Sequence, residues 1–227
     1  MSAVLDSLAD VFKAFGYTLL LFLVSAVFSL IGGTLLVAMR VGPVAVLSKL
    51  AALYVTLVRN TPLLAVFFFF SFAGPILGLN FKWVAVHVGT FDFTSFFSTA
   101  VVAMTVYTSA FVCEALRSGV NAVPLGQAEA ARAIGLPFAG VMRQVVLPQA
   151  LRASVPPVAS TMIAMLKNTS VAAVFGLIEA AAQMKILTNN NADQRWGIFL
   201  AFAVGYIVLV ELVSLLAGSF ERRWRIA

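Results

Sequence analysis

Between Lys13 and Arg40 the chain runs for 26 residues, Ala14 to Met39, without one Lys, Arg, Asp or Glu. About 20 mostly apolar residues carry a helix across a bilayer core, where every backbone polar group must be satisfied within the segment. A run of this length leaves little choice but a membrane-spanning helix. The pattern recurs. Asn60 to Phe81 (22 residues) lies between Arg59 and Lys82, and Phe93 to Cys113 (21 residues) between Asp92 and Glu114. Ala153 to Ile178 is apolar except for Lys167, and Trp196 to Phe220 except for Glu211. The expectation is an all-α integral membrane protein, residues 1–227 forming one transmembrane domain with five spans at about 14–39, 60–81, 93–113, 153–178 and 196–220. Val44 to Val58 is also apolar apart from Lys49, which leaves open an earlier start of the second span or a separate interfacial helix.

Composition agrees. The chain is 62% hydrophobic and 11% charged, against about 45–50% and about 25% in soluble domains. That argues against a soluble enzyme, a disordered chain or a free nucleic-acid-binding domain. The net charge of +6 then becomes a question of sides. Numbering the segments that flank the spans, the first, third and fifth hold Lys13, Lys82, Lys185 and Arg195, four in all. The second, fourth and last hold Arg40, Lys49, Arg59, Arg117, Arg132, Arg143, Arg152, Arg222, Arg223 and Arg225, ten in all. The positive-inside rule puts the second set in the cytoplasm, the N-terminus outside and the C-terminus inside. Trp196 and Trp224 flank the fifth span, as interfacial aromatics do. Asp6 and Asp10 stand where a secretory signal would be basic, and the first apolar run outlasts a signal's core, so a retained helix is expected. The terminal arginines read as an anchor on anionic lipid; no stacking platform accompanies them for nucleic acid.

Cys113 is the single cysteine and His87 the single histidine. They exclude an intrachain disulfide and a zinc ligand set. Cys113 reads as a buried, inert thiol and His87 as a solvated loop residue, so no catalytic residue and no metal site is expected. No G-x-x-x-x-G-K-[ST] element is present, so any nucleotide site of that kind must lie on another chain.

The largest hydrophilic segment is Glu114 to Arg152. Pro124 suits the first turn of a helix, and Leu125 to Ile134 carries Ala128, Ala130, Ala131 and Ala133, strong helix formers. Gly135 suits a left-handed stop, and Pro137 prevents continuation. A second short helix is expected from Phe138 to Leu147, ended by Pro148. The result is a helix–turn–helix unit below the membrane with a low alanine profile for another protein to pack against.

This loop reads Glu129-Ala130-Ala131, three residues, Gly135, nine residues, then Val145-Val146-Leu147-Pro148. It resembles the EAA loop of permease subunits of bacterial ABC importers (E-A-A, three residues, G, nine residues, I-x-L-P), with Val145 in place of the usual Ile. At average residue frequencies seven such positions recur by chance in roughly one chain in a few hundred thousand. Arg59-Asn60-Thr61-Pro62-Leu63-Leu64 is similar to the R-x-T-P-L-L element of polar amino acid permeases. Tyr107, Glu114, Arg117 and Gly119 are similar to the stretch that enters the loop in that subfamily, Gly126-Gln127-Ala128-Glu129 to its G-Q-x-E-A variant, and Lys167-Asn168-Thr169-Ser170 to its K-x-T-S element. The resemblance covers roughly Thr18 to Glu221 and is strongest to glutamate/glutamine-type members; nothing carries over onto Asn80 to Ser95.

The resemblance implies a permease subunit in the cell membrane, working by alternating access. It implies two ABC ATPase subunits holding ATP-Mg, a second permease chain (identical or related) and an extracytoplasmic substrate-binding protein. Glu129, Ala130, Ala131, Gly135, Leu147 and Pro148 would couple to the ATPase. Polar residues at membrane depth are costly and invite a functional reading. Lys167, 15 residues into its run, could meet a substrate carboxylate, pair with Glu211 or bond to backbone carbonyls. Asn168, Thr169 and Ser170 could bond substrate or neighbouring helices. Thr61-Pro62 would break the second span, freeing a carbonyl for a cavity, or simply begin a helix. Phe67 to Phe70 reads as lipid-facing and packing surface. Glu114 and Arg117, three apart, would pair at the membrane exit. The rival reading is an ion-coupled secondary transporter or channel with Lys167 and Glu211 as a relay.

Overall fold

A computed structural model describes residues 2–79, 81 and 86–224. Lys82 and Arg225, counted above for orientation, lie outside the described residues. In chain order the elements are α1 (Ser2–Asp6), α2 (Leu8–Val41), α3 (Ala45–Arg59), α4 (Leu63–Ile76), β1 (Val86–Val88), β2 (Phe91–Phe93), α5 (Ser95–Asn121), α6 (Leu125–Ala133), α7 (Phe138–Phe175), α8 (Ala180–Asn190) and α9 (Arg195–Trp224). The chain is thus a multi-pass helical membrane protein. Among the described residues α2, α5, α7 and α9 are long and apolar enough to cross a membrane. The pair α3 and α4 passes that test jointly but is bent by 103°.

Periodicity explains the packing. Along α2 the buried positions are Val11, Ala14, Tyr17, Thr18, Leu21, Phe22, Ser25, Ala26, Ser29 and Gly33, a stripe with spacings of one, three and four. The apolar remainder, including Leu19, Leu23, Phe28, Ile31 and Leu35, is exposed, as expected for a helix whose other face meets lipid. This stripe packs on α5, the most enclosed long helix, with 61% of its apolar window buried against 11% in α9. One core joins α2, α4, α5 and α7 through Leu21, Phe67, Met104, Met165 and Leu166.

Where α5 crosses α7 the backbones touch. A Cβ at Gly119 would lie 1.9 Å from Ser154 Oγ and 2.3 Å from the Ala150 carbonyl oxygen. Small residues allow such close approach of membrane helices. Gly119→Ala is expected to cost about 1–3 kcal/mol by overpacking, read as a lower unfolding midpoint in detergent, whereas Gly126→Ala, with open space around its Cβ, is expected to leave it unchanged.

Two expectations are corrected. The helix that begins at Phe138 does not end at Pro148 but runs through it. A wide turn over Met142–Val146, in which the Leu147 amide donates to the Met142 carbonyl, precedes Pro148 and accommodates its ring and missing N–H. The run Phe67 to Phe70 divides between packing and exposed surface: Phe67 is fully buried and stacks on Phe175, whereas Phe68 and Phe69 are exposed. Finally, the fold is not purely helical. Val86–Val88 and Phe91–Phe93 pair antiparallel around a two-residue turn opened by Gly89 at φ +61°. Tyr17 pins this hairpin to α2: its hydroxyl accepts from the Asp92 amide (2.7 Å) and donates to the Asp92 carbonyl (3.2 Å), and its ring meets Phe91 edge-on.

Candidate functional site

The hydrophilic loop forms a built surface. Pro124 precedes α6 in extended backbone, and α6 stops in a Schellman motif. The Leu136 amide donates to the Ala131 carbonyl (3.1 Å) and the Gly135 amide to the Arg132 carbonyl (2.9 Å). Gly135 adopts φ +90°, and a Cβ there would meet nothing within 4 Å. Glycine is therefore favoured by backbone conformation and not by space within this chain.

One face of α6 is anchored. Ala128 and Ala131 are buried with Val123, Val141, Val146 and Ala150. Gln149 Nε2 donates to Gln127 Oε1 (2.6 Å), tying α6 to α7. The other face is open: Glu129 and Ala130 are exposed, and Leu125 and Ile134 are 79% and 81% exposed. Leu147, Pro148 and Phe138 are exposed as well. The six loop residues singled out by the sequence thus divide. Ala131 holds the helix down, Gly135 turns the chain, and Glu129, Ala130, Leu147 and Pro148 reach the surface. A rigid helix seated on the ends of two long helices, with apolar side chains on its free face, can transmit force from a partner into the bundle.

Above the loop sits an ion-pair hub. Glu114 forms ion pairs with Arg40 at the end of α2, and with Arg59 at the end of α3 and Arg117, the last two at 3.6 Å. Arg40 and Glu114 are largely buried (15% and 25% exposed). Arg59 also lies over the Phe111 ring, 5.7 Å from its centroid. The sequence identified only the Arg117 partner.

The polar residues at membrane depth fall in two places. At the bend between α3 and α4, the Thr61 hydroxyl donates to the Leu57 carbonyl (2.8 Å) and Pro62 stands before α4. Near the far end of α7, the helix tightens after Asn168 into 3-10 geometry over Thr169–Phe175. Thr169 is buried and its hydroxyl donates to the Leu166 carbonyl, while the Ser170 hydroxyl donates to the Lys167 carbonyl. Asn168 is half-buried. Lys167 is exposed, as is Glu211, and neither makes an ion pair among the described residues.

A residue that the sequence did not single out is Glu179. Its carboxylate is fully buried and accepts from the Tyr206 hydroxyl (2.7 Å), the Thr18 hydroxyl (3.1 Å) and the Ala182 amide (3.0 Å). It caps α8 and ties it to α2 and α9. Glu179 directly follows the apolar run Ala153 to Ile178, and only the tertiary structure brings its donors together. Cys113 is fully buried, and His87 is exposed beside Asp92.

Comparisons with known proteins bear on this arrangement. The profile of the family described as "Binding-protein-dependent transport system inner membrane component" matches residues 29–226. The chain is 42% identical to the glutamate transport system permease protein GluC of Corynebacterium efficiens, over 92% of each chain. It is 35% identical to the probable glutamine ABC transporter permease protein GlnP of Bacillus subtilis, over 96% of this chain and 95% of the other. Among solved structures, an amino acid ABC transporter crystallised with histidines superposes with a TM-score of 0.83 at 25% identity, covering 97% of this chain and 96% of the other. The anchored helix, its glycine stop and the bundle above it are therefore parts of an importer permease, and the chain belongs to the family of binding-protein-dependent transport system inner membrane components.

Proposed function

We propose that this chain is the membrane-spanning permease subunit of an ATP-driven importer of a polar amino acid, glutamate or glutamine before others. The observation that carries the reading is α6, held by one face to the bundle and presenting Glu129, Leu125 and Ile134 on the other. Two ATPase subunits holding ATP-Mg would dock on this helix, one on each of two permease chains. The lysine-, arginine-rich loop end faces the cytoplasm and the hairpin end the outside, following the ten-to-four charge bias. Closure of the ATPases moves α6 and Gly135 as a lever. The motion passes through α5 and α7, which touch at Gly119, and turns the pathway outward. A substrate-binding protein then delivers the amino acid, and hydrolysis resets the pair. This chain contributes no nucleotide site and no covalent step.

Thr61, Pro62 and the stretch Lys167 to Ser170 are proposed to line the pathway. Supporting this, both places interrupt regular helix, and broken helices at membrane depth characterise transporter substrate sites. Lys167, exposed on the single chain, is free to meet a substrate carboxylate. Lys167→Met is expected to reduce uptake at least about ten-fold, the scale of losing one charge-assisted hydrogen bond, while the ATPases still co-purify. Unchanged uptake would remove Lys167 from the pathway. The ion-relay alternative is disfavoured because Lys167 and Glu211 do not pair among the described residues. The decisive test is co-purification with the ATPase chains, followed by ATP-dependent uptake with Glu, Gln, Asp, Arg and His as competitors. Uptake that needs an ion gradient and no ATP would overturn the proposal.

A further inference from the structure

At the hairpin end a pocket of about 500 Å³ opens between α2, the hairpin and the turn from α7 into α8. Small-molecule sites occupy roughly 300–1,000 Å³. Its polar lining is mixed in sign: Asp10 and Lys13 from α2, Asp92 and Thr94 from the hairpin strand and its exit, and Gln183 from α8. Asp10 and Lys13 share one face of α2 at a spacing of three, and Asp92 and Thr94 share one face of extended chain. Neither Asp10 nor Lys13 makes an ion pair among the described residues. Gln183 is only 8% exposed, yet its side-chain amide has no hydrogen-bond partner among the described residues. The amide borders the pocket and is not sealed from solvent, so its donor and acceptor are both available to a ligand there.

Glu179 makes this arrangement rigid. It fixes the start of α8 one turn before Gln183, through Thr18, which follows Tyr17 on α2. Tyr17 in turn fixes the backbone of Asp92. The three walls are thus cross-braced. One cation, the unpaired Asp10 carboxylate, the Asp92 carboxylate with its His87 partner and a neutral amide, held on fixed walls, match a ligand that carries a carboxylate, an ammonium and a polar side chain.

We propose that this pocket is an outer reception site for the zwitterion of a polar α-amino acid. Lys13 takes the α-carboxylate, Asp10 and Asp92 the ammonium, and Gln183 with Thr94 the polar end of the side chain. The site rests on the proposed import function and orientation, and it is separate from the pathway lysine. The helix continues for eight residues beyond Lys167, to Phe175, roughly 12–16 Å of axis, before Gly176 turns the chain into the pocket wall at Leu177. The amino acid released by the binding protein would pause here before entering the bundle.

The buried state of Cys113 makes a clean test possible. Ile186 lines the same pocket and is 40% exposed, so Ile186→Cys introduces one reactive thiol without removing a polar contact. In intact cells a membrane-impermeant maleimide is expected to label this cysteine. In the assembled importer, about 1 mM glutamate or glutamine is expected to slow labelling about five-fold, as for a Kd near 0.25 mM. Adding Lys13→Ala or Gln183→Leu is expected to abolish that protection, and adding Lys167→Met to leave it intact. Labelling only after permeabilisation would overturn the orientation and the site with it. Labelling that neither amino acid slows, in an importer that still takes them up, would overturn the site alone. Protection lost equally in Lys167→Met would show an effect relayed from the pathway and would also overturn it. Loss of ATP-dependent uptake of every polar amino acid by the unmodified complex is the separate failure of the import reading.

Discussion

Gly135→Asp is expected to leave the protein inserted and folded but to abolish its association with the ATPase and cut uptake at least about ten-fold, the effect of losing about 1.4 kcal/mol at an interface. The glycine sits at φ +90° with open space where a Cβ would point. Left-handed backbone costs a non-glycine residue roughly 1–2 kcal/mol, and Asp and Asn tolerate it best. The fold can absorb that. The docking face cannot as easily absorb a new carboxylate beside Ile134, exposed to 81%. Gly135→Asn separates the two contributions, because it has the same shape and the same backbone tolerance without the charge. Three measurements decide the outcome: the unfolding midpoint, ATPase co-purification and whole-cell uptake. Normal uptake by the Gly135→Asp protein would take this loop out of coupling.

Glu114→Gln carries the largest expected loss of stability. It removes the one carboxylate that faces three arginines, leaving Arg40, 15% exposed, without its counter-charge and close to Arg59 and Arg117. Breaking a buried pair by removing one partner costs about 3–5 kcal/mol; with Glu114 a quarter exposed, about 2–4 kcal/mol is expected. Arg40→Gln should cost nearly as much. Arg117→Gln should cost under about 1 kcal/mol, since Arg117 is 39% exposed and such pairs are weak. The double variant Arg40→Gln/Glu114→Gln should be far less damaging than the sum of the two single changes. The unfolding midpoint of the purified complex reads all four. Equal midpoints for Glu114→Gln and the unmodified protein would mean that the hub does not hold α2, α3 and α5 together.

The two predictions differ in how much of their basis could be read along the chain. Gly135 was legible in full: an alanine-rich segment opened by proline and closed by glycine has a local explanation at every position, and local geometry realises it. Glu114 was half legible. Its i+3 partner Arg117 follows from helix spacing, but Arg40 and Arg59 are 74 and 55 positions away, and only helix packing brings them near. Pro148 was misread for a related reason. Proline ends a regular helix, yet a wide turn that closes two residues earlier, at Val146, removes the conflict, and nothing in the local sequence signals that turn. The hairpin was hidden because two three-residue strands are too short to show an alternating pattern.

Hydrophobic run length alone determined that this chain lives in a membrane, because bilayer thickness converts directly into residue number. Fixed motif spacing alone pointed to an importer permease, because a coupling helix needs its alanines, glycine stop and proline in register. The tertiary structure decided what converges. It set α6 with one face bound and one free, gathered three arginines on Glu114, buried Glu179 among donors from three helices, and left Gln183 facing a pocket between elements distant in sequence. Those contacts depend on how amphipathic stripes and small residues let helices approach, a property of pairs of segments that no single segment contains.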